Sequence, residues 1–203
     1  MPMQDSVVET LYLEVKRELL SGRVLPGERI NIKALCEQYH VSKSPIRNIL
    51  NRLVGEGLLA AQAHDGFYRP RVTVQSLREL YNWEQDIVLL ALRDGAIPSA
   101  PPPDLALDNA TEDSIEAVLR LIAEGSGNRV YRTALANVSA HLGAIRRSSP
   151  SQAFDVEAEL SSLLEALKEP NPDALRRRLK RYYQRRLSRL SDIVADAYRG
   201  RAQ

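Results

Sequence analysis

From Ser42 to Arg52 the chain reads Ser-Lys-Ser-Pro-Ile-Arg-Asn-Ile-Leu-Asn-Arg, and it mixes two kinds of residue at helical spacing. Ile46, Ile49 and Leu50, continued by Leu53, recur at i, i+3, i+4 and i+7 and make one apolar stripe. Lys43, Ser44, Arg47, Asn48, Asn51 and Arg52 fall on the other side. Small polar and cationic groups at the start of a helix, just after a tight turn, suit insertion into a DNA major groove. A guanidinium can bond two guanine acceptors at once, asparagine can read adenine, and lysine or arginine can neutralise phosphates. A merely solvated helix face is the alternative reading for each of these side chains.

The flanking segments supply what such a helix needs to be held. Val7, Val8, Leu11, Val15 and Leu19 predict an amphipathic first helix over about 5–20, ended by Gly22 and the Pro26-Gly27 turn. Arg29 to Asn31 reads as a short strand, and residues 32–39 as a short helix burying Leu35 and Cys36. His40-Val41 is the turn, Ser42 the N-cap of the next helix, and Pro45 is tolerated in its first turn. Gly57 marks a left-handed helix stop, and residues 58–62 and 67–71 form a hairpin around His64-Asp65-Gly66. After Val74 the strand signals end. Apolar periodicity predicts helices beginning near Leu77, Ile115, Val130, Ala153 and Asp173, the last running unbroken to about Tyr198, with a Pro-rich loop at 98–104. The predicted fold is mostly α. A winged helix-turn-helix with a small β-hairpin wing occupies 1–74, and an all-α antiparallel bundle occupies 75–203.

The 203 residues carry 44% hydrophobic, 27% charged and 5% aromatic residues, an ordinary balance for a helix-rich globular protein. Net charge is only +2, although eight Lys or Arg and no acid lie between Arg176 and Arg189. That run is a solvated helix face or a surface that approaches flanking phosphates or an anionic effector. One cysteine, Cys36, excludes an internal disulfide, and the N-terminus lacks the basic and apolar regions of a signal peptide. No apolar run is long enough to cross a bilayer, so a cytoplasmic, nucleoid-associated location and no membrane partner are expected. With three histidines and no Cys–His or Ser–His signature, an enzyme is disfavoured.

Pro26-Gly27-Glu28-Arg29, Leu35, Val41-Ser42, Pro45-Ile46-Arg47, Leu53, Glu56-Gly57-Leu58 and Gly66 together resemble the winged helix of GntR-family bacterial transcription regulators. Leu77 to Tyr81, followed by an all-helical segment, is similar to the FadR subfamily with its FCD-type domain. The resemblance implies a homodimer on a palindromic double-stranded DNA operator, more often repressing than activating. It puts Lys33, Lys43, Ser44, Arg47 and a wing-tip group near His64 on the DNA. Arg47 is the base reader, Lys43 is expected on a base or a phosphate, Lys33 and Arg52 on phosphates, and Asn48 and Asn51 are candidate readers of adenine, with Ser42 beside them. Many FCD-type domains hold a metal with one Asp and three His. Laid on this chain, those positions fall on Asn128, Arg132, Leu160 and Tyr182, so no metal or other cofactor is expected. The lone His141 lacks a second ligand. Arg132 is instead expected to bind a small organic acid or acyl-type effector, with Asn128 and Tyr182 donating hydrogen bonds. The alternative is that Arg132 pairs with Glu84 or Glu159 and the bundle only dimerises.

Overall fold

The computed structural model describes residues 2–62, 66–95, 110–148, 154–169 and 171–199, apart from the side chains of 2–6 and 148. The chain divides into two compact units, residues 1–72 with 197–203, and residues 73–196.

In the first unit, α1 (Pro2–Leu20), α2 (Ile32–Tyr39) and α3 (Lys43–Gly55) surround a core that includes Val15, Leu19, Leu35, Ile46, Ile49, Leu50 and Leu53. The apolar stripe of α3 is therefore fully used. On α1 the buried stripe starts later than its spacing predicts: Tyr12, Val15 and Leu19 are buried, while Val7 and Val8 are 67% and 56% exposed. Cys36 is only half-buried. Asn31 caps α2 through its Oδ1, and His40 closes it in the left-handed region at φ 53°. Ser42 holds the N-cap position of α3, but its hydroxyl makes no cap hydrogen bond. Gly57, at φ 75°, ends that helix; a Cβ there would be strained.

Strands β1 (Ala60–Gln62) and β2 (Gly66–Tyr68) pair antiparallel, with Ala61 opposite Phe67. The strand predicted at 29–31 is reduced to a single bridge, Arg29 to Tyr68. The wing-tip His64 lies outside the described residues, as does the Pro-rich loop. Ala197 to Arg199 group with this unit, where the Tyr198 hydroxyl accepts from the Val72 N–H at 3.0 Å and donates to its carbonyl at 3.1 Å.

The second unit is a helical bundle of α4 (Val74–Asp94), α5 (Glu112–Gly125), α6 (Arg129–Ser148), α7 (Val156–Lys168), α8 (Pro172–Ser188) and most of α9 (Leu190–Arg199). Reciprocal Thr73–Ser76 and Thr111–Ser114 boxes open α4 and α5. The long final helix expected from periodicity is broken between α8 and α9. The Ser188 hydroxyl donates to the Arg185 carbonyl at 2.8 Å, and that carbonyl is the acceptor an unbroken helix would assign to Arg189. The Arg189 N–H bonds Arg186 instead, and the chain restarts with Leu190 and Ile193 inward.

Candidate nucleic-acid interface

Packing of Ile46, Ile49, Leu50 and Leu53 inward forces the remaining side chains of α3 outward. Ser42, Lys43, Ser44, Arg47, Asn48 and Asn51 are all exposed. None of their side chains is engaged in a hydrogen bond or ion pair among the described residues. The structure thus brings six of the predicted residues together along one exposed face of α3, with donors and acceptors unspent. Lys33, on α2, is exposed and faces Glu37 at 3.7 Å. That is a loose surface pair, easily exchanged for another anion.

Arg52 is different. Its Nη1 and Nη2 donate to the two carboxylate oxygens of Glu9 on α1 at 2.7 and 3.3 Å, and Glu56 lies 3.5 Å from its Nε. The guanidinium also stacks 3.6 Å above the Tyr12 ring. Behind it, Lys16 Nζ donates to Glu56 at 2.7 Å and to the Tyr12 hydroxyl at 3.0 Å, and that hydroxyl donates to Glu56 at 2.5 Å. Burial alone would raise the Glu56 carboxyl, but the hydrogen bonds from Lys16 and Tyr12 hold it below its ordinary value. The predicted phosphate contact at Arg52 is therefore tied into the α1–α3 joint, a pairing across 43 positions that helical spacing does not reveal.

In the bundle, the predicted effector residues are not gathered around a cavity. Arg132 is exposed on the first turns of α6, and the Asn128 Oδ1 accepts from the Val130 N–H, capping that helix. Tyr182 is buried, packed edge-on against Tyr183 at 4.9 Å, with Arg186 4.0 Å over its ring. Neither expected partner serves Arg132. Glu84 takes Arg146 (2.5 and 3.3 Å) and the Ser139 hydroxyl (2.9 Å), whereas Glu159 takes Arg186 (2.5 Å) and Arg185 (3.1 Å). Arg186 reaches Glu112 as well, at 2.8 Å. Sequence reasoning missed this buried network, though a signal existed: Glu84 follows Leu77 and Tyr81 on the apolar stripe of α4, and Arg186 follows Leu175, Leu179 and Tyr182 on that of α8.

A metal does not fit the four positions named by the FCD resemblance. Leu160 offers no donor, Arg132 brings a cation, and burial pushes the Tyr182 phenol far up, keeping it protonated. A cavity of about 770 Å³ does open in the bundle, lined by Tyr81, Glu112, Arg146, Phe154, Asp155 and Ile193 among others. It is neither lined by Asn128, Arg132 nor Tyr182.

Residues 7–68 match the family described as bacterial regulatory proteins, gntR family. The chain is 38% identical over 95 residues to the Nta operon transcriptional regulator of Aminobacter aminovorans, covering 47% of this chain and 40% of that one. It spans less than half the length of the curated relatives it matches. Its fold is similar to that of a GntR protein from Rhodococcus sp. RHA1, with TM-score 0.77, 17% identity, and 96% and 100% of the two chains covered. It is also similar to E. coli McbR/YncC, with TM-score 0.67, 23% identity, and 91% and 97% covered. At these identities the structural likeness establishes the fold.

Proposed function

We propose, with the gntR-type winged helix-turn-helix of residues 7–68 as premise, that this chain is a sequence-specific DNA-binding transcription regulator. In this reading it is a homodimeric repressor of the FadR subfamily on a palindromic operator, with an FCD-type bundle as its second unit. The observation that carries it is the outward face of α3, where Lys43, Ser44, Arg47, Asn48 and Asn51 stand exposed and uncommitted. Arg47 reads a base, Lys33 and Lys43 touch phosphates, and the Ser42 hydroxyl, spared from capping, is free to donate to a phosphate. Dimerisation follows from symmetry, since one recognition helix reads few bases and two half-sites supply the rest.

The test is Arg47→Ala on an operator obtained by selection from random duplexes. The variant loses about 1–3 kcal/mol of specific binding and relaxes its preference at one base position. Binding as tight and as selective as the parent's would sink the assignment. A ligand-independent DNA-binding protein is the second reading. The 770 Å³ bundle cavity favours a small-molecule input over it, being of the size ligand sites have. Operator affinity measured with and without a metabolite extract separates the two.

A further inference from the structure

We infer that the α7–α8 surface of the bundle carries a seat for a phosphate-type oxyanion, apart from both the recognition helix and the larger cavity. Arg178, Arg181 and Arg185 occupy i, i+3 and i+7 of α8, within about 60° of one another around the helix. All three line one small concavity, closed on the α7 side by Ser162 and Glu159. Like charges on successive helical turns repel modestly, and an anion bound among them would relieve that repulsion. Among the described residues that line the concavity the carboxylate is Glu159, which Arg185 meets at 3.1 Å and Arg186 at 2.5 Å, so its charge is already divided between two guanidiniums. Arg186 also holds Glu112 at 2.8 Å, so the two guanidiniums of Arg185 and Arg186 are matched by two carboxylates and the charges in excess at the concavity are those of Arg178 and Arg181. Among the described residues the Arg178 and Arg181 side chains have no hydrogen bond or ion pair.

The chemistry of the seat selects the ligand. Guanidiniums recognise planar or tetrahedral oxyanions through paired N–H groups, and a doubly charged phosphoryl group offers three acceptor oxygens where a carboxylate offers two. The concavity holds about 10 Å³, room for one water-sized group. One phosphoryl oxygen seats between Ser162 and Arg178, and the others remain at the rim against Arg181 and Arg185. Exposed Arg177 and Lys180 alongside raise the local anion concentration without lining the seat. The ligand is a free phosphate or the phosphate of a small monoester.

Calorimetric titration of the full chain with inorganic phosphate, at ionic strength held constant with chloride, tests this. Thermal stabilisation alone does not serve, because phosphate stabilises folded proteins generally. Arg178→Gln/Arg181→Gln should bind phosphate at least about tenfold more weakly than the parent, since two charge-assisted contacts are lost. Arg177→Gln/Lys180→Gln, with the same change in charge, should bind like the parent. Ser162→Glu, which places a carboxylate in the seat, should abolish phosphate binding and raise the melting temperature in chloride. Equal affinity in the parent and both arginine/lysine pairs overturns the seat, as does equal weakening in both pairs, which reports a diffuse field. No phosphate binding by the parent, with duplex DNA binding weakened only by Arg178→Gln/Arg181→Gln, assigns these arginines to DNA and overturns it too. The phosphate titrations and the melting temperature do not depend on the operator-binding role of α3.

Discussion

Arg47 and Arg52 both sit on the exposed side of α3, and the same reasoning from residue type assigns both to DNA. Their surroundings separate them. Arg47 meets no partner among the described residues, whereas Arg52 is clasped by Glu9 and stacked on Tyr12. Arg52→Gln is therefore expected to lower the unfolding free energy by about 1 kcal/mol, the scale of a half-exposed pair with a cation–π contact. Its DNA affinity should keep the parent's dependence on salt; a slope shallower by about one would return Arg52 to the phosphate contacts. Glu56 gives a pH signature. Its folded-state value lies below the ordinary 4.5, so it contributes stability that is present above 4.5 and lost as pH falls through the lower folded value. Acid unfolding followed from pH 6 to 3 should thus be less steep in Glu56→Gln than in the parent, and parallel curves would remove Glu56 from the account. The exposed face was legible from period alone, but the commitment of Arg52 was not, because Glu9 lies on another helix.

Helix extents follow local rules closely. The Thr73–Ser76 and Thr111–Ser114 boxes, the Asn171 cap with Pro172 at the first position, and Gly57 are each set by a few neighbouring residues. The break between α8 and α9 is also local, yet it has no Pro or Gly to announce it; at it the Ser188 hydroxyl bonds the Arg185 carbonyl. What joins the helices of the bundle is less legible. Glu84–Arg146 and Glu159–Arg186 are ion pairs with both partners nearly inaccessible, so either charge is costly to leave alone. Arg146→Met should destabilise the chain by about 3–5 kcal/mol in urea unfolding, by stranding the Glu84 carboxylate. Adding Glu84→Leu should recover most of that loss. A double variant as unstable as the single would mean that the shape of Arg146, rather than its charge, holds α6 to α4.

For the whole molecule, a net charge of +2 means that bulk attraction to nucleic acid is weak, so the proposed operator binding requires local charge such as that on α2 and α3. A single helix-turn-helix unit is then too small a reader, and sedimentation equilibrium at micromolar concentration should give twice the 22.8 kDa chain mass. A monomer at those concentrations would undo the palindromic-operator reading. Strand signals in the sequence end after Val74, and the two compact units part between residues 72 and 73. That residues 197–199 cluster with the first unit was not visible, because nothing in the pattern of α9 distinguishes its last turn.

The amino-acid order alone determined the inner stripe and the outward side chains of α3, because helical period acts over a few residues. Which charges stay available was decided only in three dimensions. Arg52 finds Glu9 across 43 positions, Arg146 finds Glu84 across 62, and Arg186 finds Glu112 across 74. Ion pairing is governed by distance in space, and chain separations of that length carry no local trace.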